Sequence, residues 1–252
     1  MEAKSSINIP PVFSLLIWIG LWEVAGRLDL AFILPPFSDV LRELTVLIVR
    51  PDFLAAAWQT LQAFAIGMFF AITGGIALGF IMGTNKRANA VLGMWVNILA
   101  SAPLSSLVPV LMLLFGLGQL TVVIIVALFS IWIITLDTYA GVAHTPHSLK
   151  EMGRSFGASK WQLLTKILFW SALPEILAGV RLGLIRAVKG IVIGQLLLSV
   201  VALGRMFRTF SDNFQFTEFW ALTLILFVFA LLFSTLIGML EKKVEYYAGT
   251  RT

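Results

Sequence analysis

The stretch TPHSLKEMGRSFGASKWQLLTKILFWSALP, Thr145–Pro174, is the one long polar, amphipathic island in a chain otherwise built of apolar runs. Thr145 is expected to cap a helix with Pro146 at its first position, where the missing N–H costs nothing. Gly157 is expected to supply the left-handed residue that ends that helix. Ser159 followed three residues later by Gln162 is a capping-box pattern, and Trp161, Leu164, Ile167 and Leu168 then recur at helical spacing. Two short helices meeting at a glycine, with Lys150, Glu151, Arg154, Lys160 and Lys166 among the apolar positions, form a compact knob suited to a groove in a partner. The same pattern also fits a helix pair lying in the headgroups between two membrane spans.

Working outward, the chain has 252 residues, 59% hydrophobic and only 12% charged, with a mean hydropathy of +0.96. That balance lies far outside the soluble range. Several apolar runs exceed the roughly 20 residues that cross a bilayer as helix, without the alternation of barrel strands. The fold class is therefore all-α, a polytopic membrane protein. The net charge of +5 is assigned to cytoplasmic loops rather than to nucleic acid. With no cysteine, disulfides, zinc thiolates and cysteine nucleophiles are excluded. Lys4 and the apolar run from Val12 to Leu21 lack a small-x-small cleavage site, which marks a retained first span.

Six spans are expected, at about 12–28, 61–83, 91–115, 120–139, 176–201 and 219–240. Glu23 lies near the far end of the first. An amphipathic segment, DVLRELTVLI, follows as a short outer helix, and the second span carries Gly67, Gly74, Gly75, Gly79 and Gly83, small residues that let backbones approach in lipid. Asn85, Lys86 and Arg87 form a basic turn. The uncharged run from Ala88 to Leu136 is divided at Gly116–Gln119, and Pro103 and Pro109 fall inside the third span. There they either bend the helix into a gate or are accommodated by its neighbours. A polar outer loop is expected from Gly204 to Glu218. Six spans place both termini and the knob on one side, with Lys4, Lys86, Arg87, Lys150, Arg154, Lys160, Lys166, Lys242, Lys243 and Arg251. The other side holds Arg27, Arg42, Arg50, Arg205 and Arg208. The excess of roughly two to one assigns the knob to the cytoplasm.

At this point the sequence resembles a known family, the membrane-spanning permease subunits of binding-protein-dependent ATP-binding cassette importers. Their coupling motif reads Glu-Ala-Ala, three residues, Gly, nine residues, Ile-x-Leu-Pro. Here Glu151, Gly157 and Ile167 keep that register; Met152 and Gly153 stand for the two alanines, and Phe169 and Trp170 for the first Leu-Pro. Without that first proline the second knob helix is expected to run further before it breaks. The later Leu173–Pro174, continuing as EILAGVRLGLIRAVKG, resembles the branch linked to sulfonate, taurine and nitrate. LPPFSDVL from Leu34, TLQAFAIGM from Thr60, SAPLSSLVPVLMLLFGLG and IGQLLLSVVALGRMF are similar to family segments in the same order.

The resemblance implies a type I importer-like permease domain over residues 1–252, with the coupling loop at about 143–174. Its ATPase contact would be made by Glu151, Met152, Gly153, Gly157, Ala158, Trp161 and Ile167. It also implies two cytoplasmic ATP-binding cassette subunits, which bind ATP and Mg, a second permease copy forming a homodimer, and an extracytoplasmic solute-binding protein. The location would be the bacterial cytoplasmic membrane, with both termini cytoplasmic. No Gly-x-x-x-x-Gly-Lys-Ser/Thr loop is present, so this chain itself is expected to bind no cofactor and to hydrolyse no ATP.

The charges inside the fifth span need a reason, because a central charge costs about 2.5–3.5 kcal/mol even on the lenient insertion scale. Arg186 and Lys189, three apart, share a helix face that either lines a pathway for an anion or anchors the span near its cytoplasmic end. Arg181 fits the anchor. Asp137 either pairs with a cation of the fifth span or sits solvated at the end of the fourth. Gln195 stands where the resembling branch commonly has glutamate, so the pathway is more positive and an anionic or strongly polar solute is expected. Two rival readings are a polytopic enzyme acting on lipid, with His144 and Asp137 as its couple, and a passive channel, which has no use for such a knob.

Overall fold

The computed structural model describes residues 11–199 and 201–249, and among these every regular element is helical. In chain order these are α1 (Pro11–Arg27), α2 (Phe37–Leu47), α3 (Pro51–Thr84), α4 (Lys86–Ser101), α5 (Val108–Phe115) and α6 (Gln119–His144). After them come α7 (His147–Ser155), α8 (Lys160–Gln162), α9 (Phe169–Leu198), α10 (Ala202–Asp212) and α11 (Phe216–Gly249). A 3-10 turn, Leu104–Leu107, precedes α5, and a π-helical stretch, Leu163–Leu168, joins α8 to α9. Both α3 and α6 are long and apolar enough to cross a bilayer, and the pairs Lys86–Ser101 with Leu104–Phe115 and Lys160–Leu198 with Ala202–Asp212 pass the same test together. That gives two to four membrane-crossing segments among the described residues against the six expected; α1, at 17 residues, and the apolar part of α11, Phe216–Phe229, are too short to pass the same test. Lys4 and Arg251, and the side chains of Lys242 and Lys243, lie outside the described residues.

The core is α6 held between α3 and α9. Small residues of α3 face α6 at matching intervals: a Cβ on Gly67, Gly75, Gly79 or Gly83 would come within 2.5–2.8 Å of Val126, Ile134, Thr138 or Val142. Two backbones can meet this closely only where one side presents no side chain, and in lipid such van der Waals contact is what holds helices together. On the other side of α6, Gly179 and Gly183 of α9 leave the same kind of room for Asp137 and Ile134. Ser130 Oγ donates across to the Gly183 carbonyl at 2.9 Å. Ala63, Met68, Val122, Ile125, Ala187 and Ile191 fill the centre.

A second cluster, containing Val40, Leu47, Leu203, Phe207, Phe210 and Leu222, joins α2 and α10 to α11 at the end remote from the knob. The expected amphipathic outer helix is thus present as α2, with Val40 and Leu47 fully buried. Glu23 explains how it starts: its carboxylate accepts from the Ser38 N–H and Oγ, both at 2.9 Å, and from Arg27 Nε at 2.6 Å. A span-end carboxylate here serves as the missing cap of the next helix.

Four sequence expectations are corrected. The third span is not one bent helix: α4 ends at Ser101, and the helical pair turns through 91° across the break at Ala102–Pro103. Pro109 bends nothing, since it lies in the first turn of α5, where its missing N–H is not needed. The expected outer loop from Gly204 is the helix α10; Leu203, Phe207 and Phe210 recur at helical spacing and face α11, while Arg208 pairs with Asp212 at 3.4 Å. The second knob helix does run further, as expected, with Pro174 accommodated inside α9, which continues to Leu198. Finally, Thr145 does not cap α7. Its hydroxyl turns back and donates to the Gly141 carbonyl at 3.1 Å, closing α6 instead.

Candidate coupling knob and pathway residues

The turn of the knob is closed from both sides. At the end of α7, Ala158 N–H donates to the Gly153 carbonyl at 3.0 Å and Gly157 N–H to the Arg154 carbonyl at 2.9 Å. With Gly157 at φ +73°, these are the two bonds of a Schellman cap. The next helix opens with the expected capping box: Ser159 N–H donates to Gln162 Oε1 at 2.8 Å, and Gln162 N–H to Ser159 Oγ at 3.3 Å. Six backbone groups that would otherwise face a partner unsatisfied are thereby fixed, or fix one another, within five residues of the glycine. The knob is a preformed shape.

Its residues divide into two sets. Gly153 is buried on the inner seam, where a Cβ would collide with Ile167 Cδ1 and lie 2.7 Å from Leu163 Cδ2. The glycine that replaces the second alanine of the resembling motif thus seats α7 on the π-helical stretch, and Ile167 is its counterpart. Met152, Phe156 and Trp161 point outward, 49%, 84% and 72% exposed. Glu151 lies beside them, paired with His147 Nδ1 at 3.1 Å. The structure therefore brings Glu151, Met152 and Trp161 to the free face, leaves Gly157 and Ala158 in the turn, and turns Gly153 and Ile167 inward. Phe156 was missed by the sequence reading. Its signal was present, a large aromatic directly before the helix-ending glycine, where the cap leaves the side chain nothing of its own chain to cover.

Beneath the knob, Val142, Leu168, Ala172 and Ile176 form an apolar root shared by α6 and α9. Because α8, the π stretch and α9 are continuous, a displacement of the free face is delivered directly into a membrane-crossing helix of the core.

Arg186 has a specific partner. In an unbroken helix the Ala100 carbonyl would accept from the Leu104 N–H, but that N–H turns to the Ala102 carbonyl at 2.8 Å. The break thus orphans a carbonyl at membrane depth, where water cannot satisfy it. Arg186 Nη1 donates to it at 3.0 Å. A cation at the carbonyl end of α4 is also favoured by the helix dipole. Arg186→Leu is expected to lose about 1–3 kcal/mol by leaving that carbonyl unpaired. Arg186→Lys, which keeps a donor, should lose less. Thermal midpoints of the detergent-purified proteins check this, and a leucine variant melting like wild type removes the role.

The remaining candidates are scattered. Lys189 is exposed, one turn along α9 from Arg186. Asp137 packs against α9, since a Cβ on Gly179 would lie 2.8 Å from its Cβ. Arg181 reaches α11, where a Cβ on Gly238 would be 3.4 Å from its Nη2. Gln195 is only 2% exposed and donates from Nε2 to Thr60 Oγ1 at 2.7 Å. Pro103 and Pro109 are exposed around the broken span.

A family profile described as binding-protein-dependent transport system inner membrane component matches residues 75–246. Among characterised sequences, the chain is 25% identical over 227 residues to a putative aliphatic sulfonates transport permease protein of Bacillus subtilis, covering 89% of this chain and 82% of that one. It is 28% identical over 234 residues to a formylaminopyrimidine transport permease protein of Halalkalibacterium halodurans, covering 92% of each. It is 26% identical over 206 residues to a taurine transport system permease protein of Escherichia coli, covering 79% and 75%. Among solved structures, an inward-facing MetNI methionine ABC transporter superposes with a TM-score of 0.65 at 19% identity, covering 77% of this chain and 96% of that one. An amino acid ABC transporter crystallised with histidines gives 0.62 at 18%, covering 79% and 97%.

Proposed function

The chain belongs to the inner membrane component family of binding-protein-dependent transport systems, and from that premise we propose that it forms one half of a solute pathway whose opening is driven through the knob by a separate ATPase. As a permease of this family it is a membrane-embedded subunit of an ABC importer. Two cytoplasmic ATPase subunits bind and hydrolyse ATP with Mg. A second copy of this chain encloses the pathway, and an extracytoplasmic binding protein delivers the solute. The membrane is the bacterial cytoplasmic membrane, with both termini on the ATPase side. Closure of the ATPases moves the two knobs, and the pathway exchanges inward-facing for outward-facing states.

The observation that carries this reading is the outward display of Met152, Phe156 and Trp161 on a knob that is continuous with α9. A large apolar tip facing water is costly unless a partner covers it. The cargo is a small anionic or strongly polar solute of the sulfonate kind, supported by the names of two relatives. Co-expression with an ATPase subunit and reconstitution with a binding protein test the reading. ATP-dependent uptake of an alkyl sulfonate by the complex, and none by the permease alone, is the expected result. Failure to associate with any ATPase subunit, or turnover of lipid by the lone chain, overturns it.

A further inference from the structure

The end of the core remote from the knob contains a cavity of about 230 Å³, with Gln59, Ala63, Gln119, Gln195, Ala202 and Arg205 in its lining. Three glutamines and an arginine around so small a space are unusual in a chain of this hydropathy. Gln195 forms its buried part and is 98% shielded from solvent, its relative exposure being 2%. A buried amide is costly unless its hydrogen bonds are made.

One half of that amide is accounted for. Thr60 Oγ1 gives its single proton to the Ala56 carbonyl at 2.9 Å, so towards Gln195 it can only accept. The group at 2.7 Å from it is therefore the Gln195 Nε2 donor, and the amide orientation follows from chemistry. Gln195 Oε1 is left as an acceptor with no protein donor among the described residues, on a side chain that lines the cavity. Gln119 is similarly used on one side, with its Nε2 donating to the Gln59 carbonyl at 3.3 Å. Arg205 places a positive charge at the rim.

The roof is fixed as well. Gly204 of α10 lies directly on the Gln195 carbonyl, so close that no Cβ fits. The chain reaches that position through Ser199 and Ala202, both left-handed at φ 50° and 49°. Such backbone costs about 1–2 kcal/mol at a non-glycine residue, and here it folds α10 over the end of α9.

We propose that this cavity is a binding site for a small solute that carries an anionic group at one end and an N–H or O–H donor at the other. Arg205 attracts the anion, and Gln195 Oε1 accepts the donor. The volume exceeds the roughly 150 Å³ that holds benzene, which sets the size at about seven to ten non-hydrogen atoms. The site rests on the importer reading: lying at the end away from the knob, it meets the solute on the binding-protein side.

The test is calorimetric titration of the purified permease–ATPase complex, without binding protein or nucleotide. The probes are taurine and isethionate, which carry both groups, ethanesulfonate, which lacks the donor, and ethanolamine, which lacks the anion. Taurine or isethionate should bind saturably, once per permease chain, with ethanesulfonate at least tenfold weaker and ethanolamine silent. Arg205→Gln, at an exposed position, and Gln195→Met should each weaken the best probe at least tenfold. Because Gln195→Met also loses the Thr60 bond, its melting is compared, and Arg205→Gln decides if it misfolds. If no probe binds while the complex still hydrolyses ATP, the cavity holds only water; the site is then disproved and the importer reading stands. Equal binding by wild type and Arg205→Gln disproves it too. Absence of a co-purifying ATPase instead counts against the importer reading, and the titration is then read on the permease as purified.

Discussion

Gly79→Leu is expected to yield no monodisperse permease, whereas Gly20→Leu should purify like wild type. At Gly79 even a Cβ would stand 2.5 Å from Thr138 Cβ and 2.8 Å from the Thr135 carbonyl, so the obstacle includes backbone that cannot rotate away. The four-carbon side chain of leucine would force α3 off α6 over neighbouring turns and open the contacts at Gly75 and Gly83 with it. Overpacking in a core costs about 1–3 kcal/mol where side chains can yield, and more is expected here. Gly20, in α1, has nothing within 4 Å of the same added atom. The pair separates a packing requirement from a dislike of large residues in glycine-bearing helices. Detergent size-exclusion profiles of the two variants read it directly. A normal profile for Gly79→Leu would mean that α3 and α6 are not held by this seam.

The second large effect is at the turn of the knob. Gly157→Pro should leave the spans assembled but remove ATPase association and lower uptake at least tenfold. Proline is locked near φ −65°, and residue 157 stands at +73°; the substitution also deletes the N–H that donates to the Arg154 carbonyl. The two helices then cannot meet at the angle that exposes Phe156 and Trp161 together. Asparagine visits the left-handed region at modest cost, so Gly157→Asn should keep most of the uptake. Equal loss in both variants would point to crowding at the glycine rather than to backbone shape.

Much of this was legible before any coordinates. The knob was readable because capping is local chemistry: Ser159 with Gln162, and Gly157 at the end of α7, sit where their side chains and backbone demand. The seam between α3 and α6 was half readable, since the glycines of α3 were visible as a set but their partners on α6 depend on register. What was lost is tertiary. At the break at Pro103 the freed Ala100 carbonyl is satisfied by Arg186, far away in sequence. Pro174 looks like a terminator and is absorbed by packing inside a long helix. In α10 the polar composition hid Leu203, Phe207 and Phe210 at helical spacing. Asp137, Arg186 and Lys189 were chosen for their charge, and charge does not say whether a side chain faces a solute, a carbonyl or a neighbouring helix.

The most direct measurement of coupling is uptake beside ATP hydrolysis in proteoliposomes containing the Phe156→Asp, Trp161→Asp double variant. Both side chains are largely exposed, and neither belongs to the seam through Gly153 or to the apolar root of the knob. The variant should therefore fold, melt and insert like wild type. Placing two carboxylates on an apolar docking tip should detach the ATPase or leave it hydrolysing without transport, with uptake down at least tenfold. Wild-type uptake with wild-type hydrolysis from the same liposomes would contradict the assignment of this knob as the coupling element.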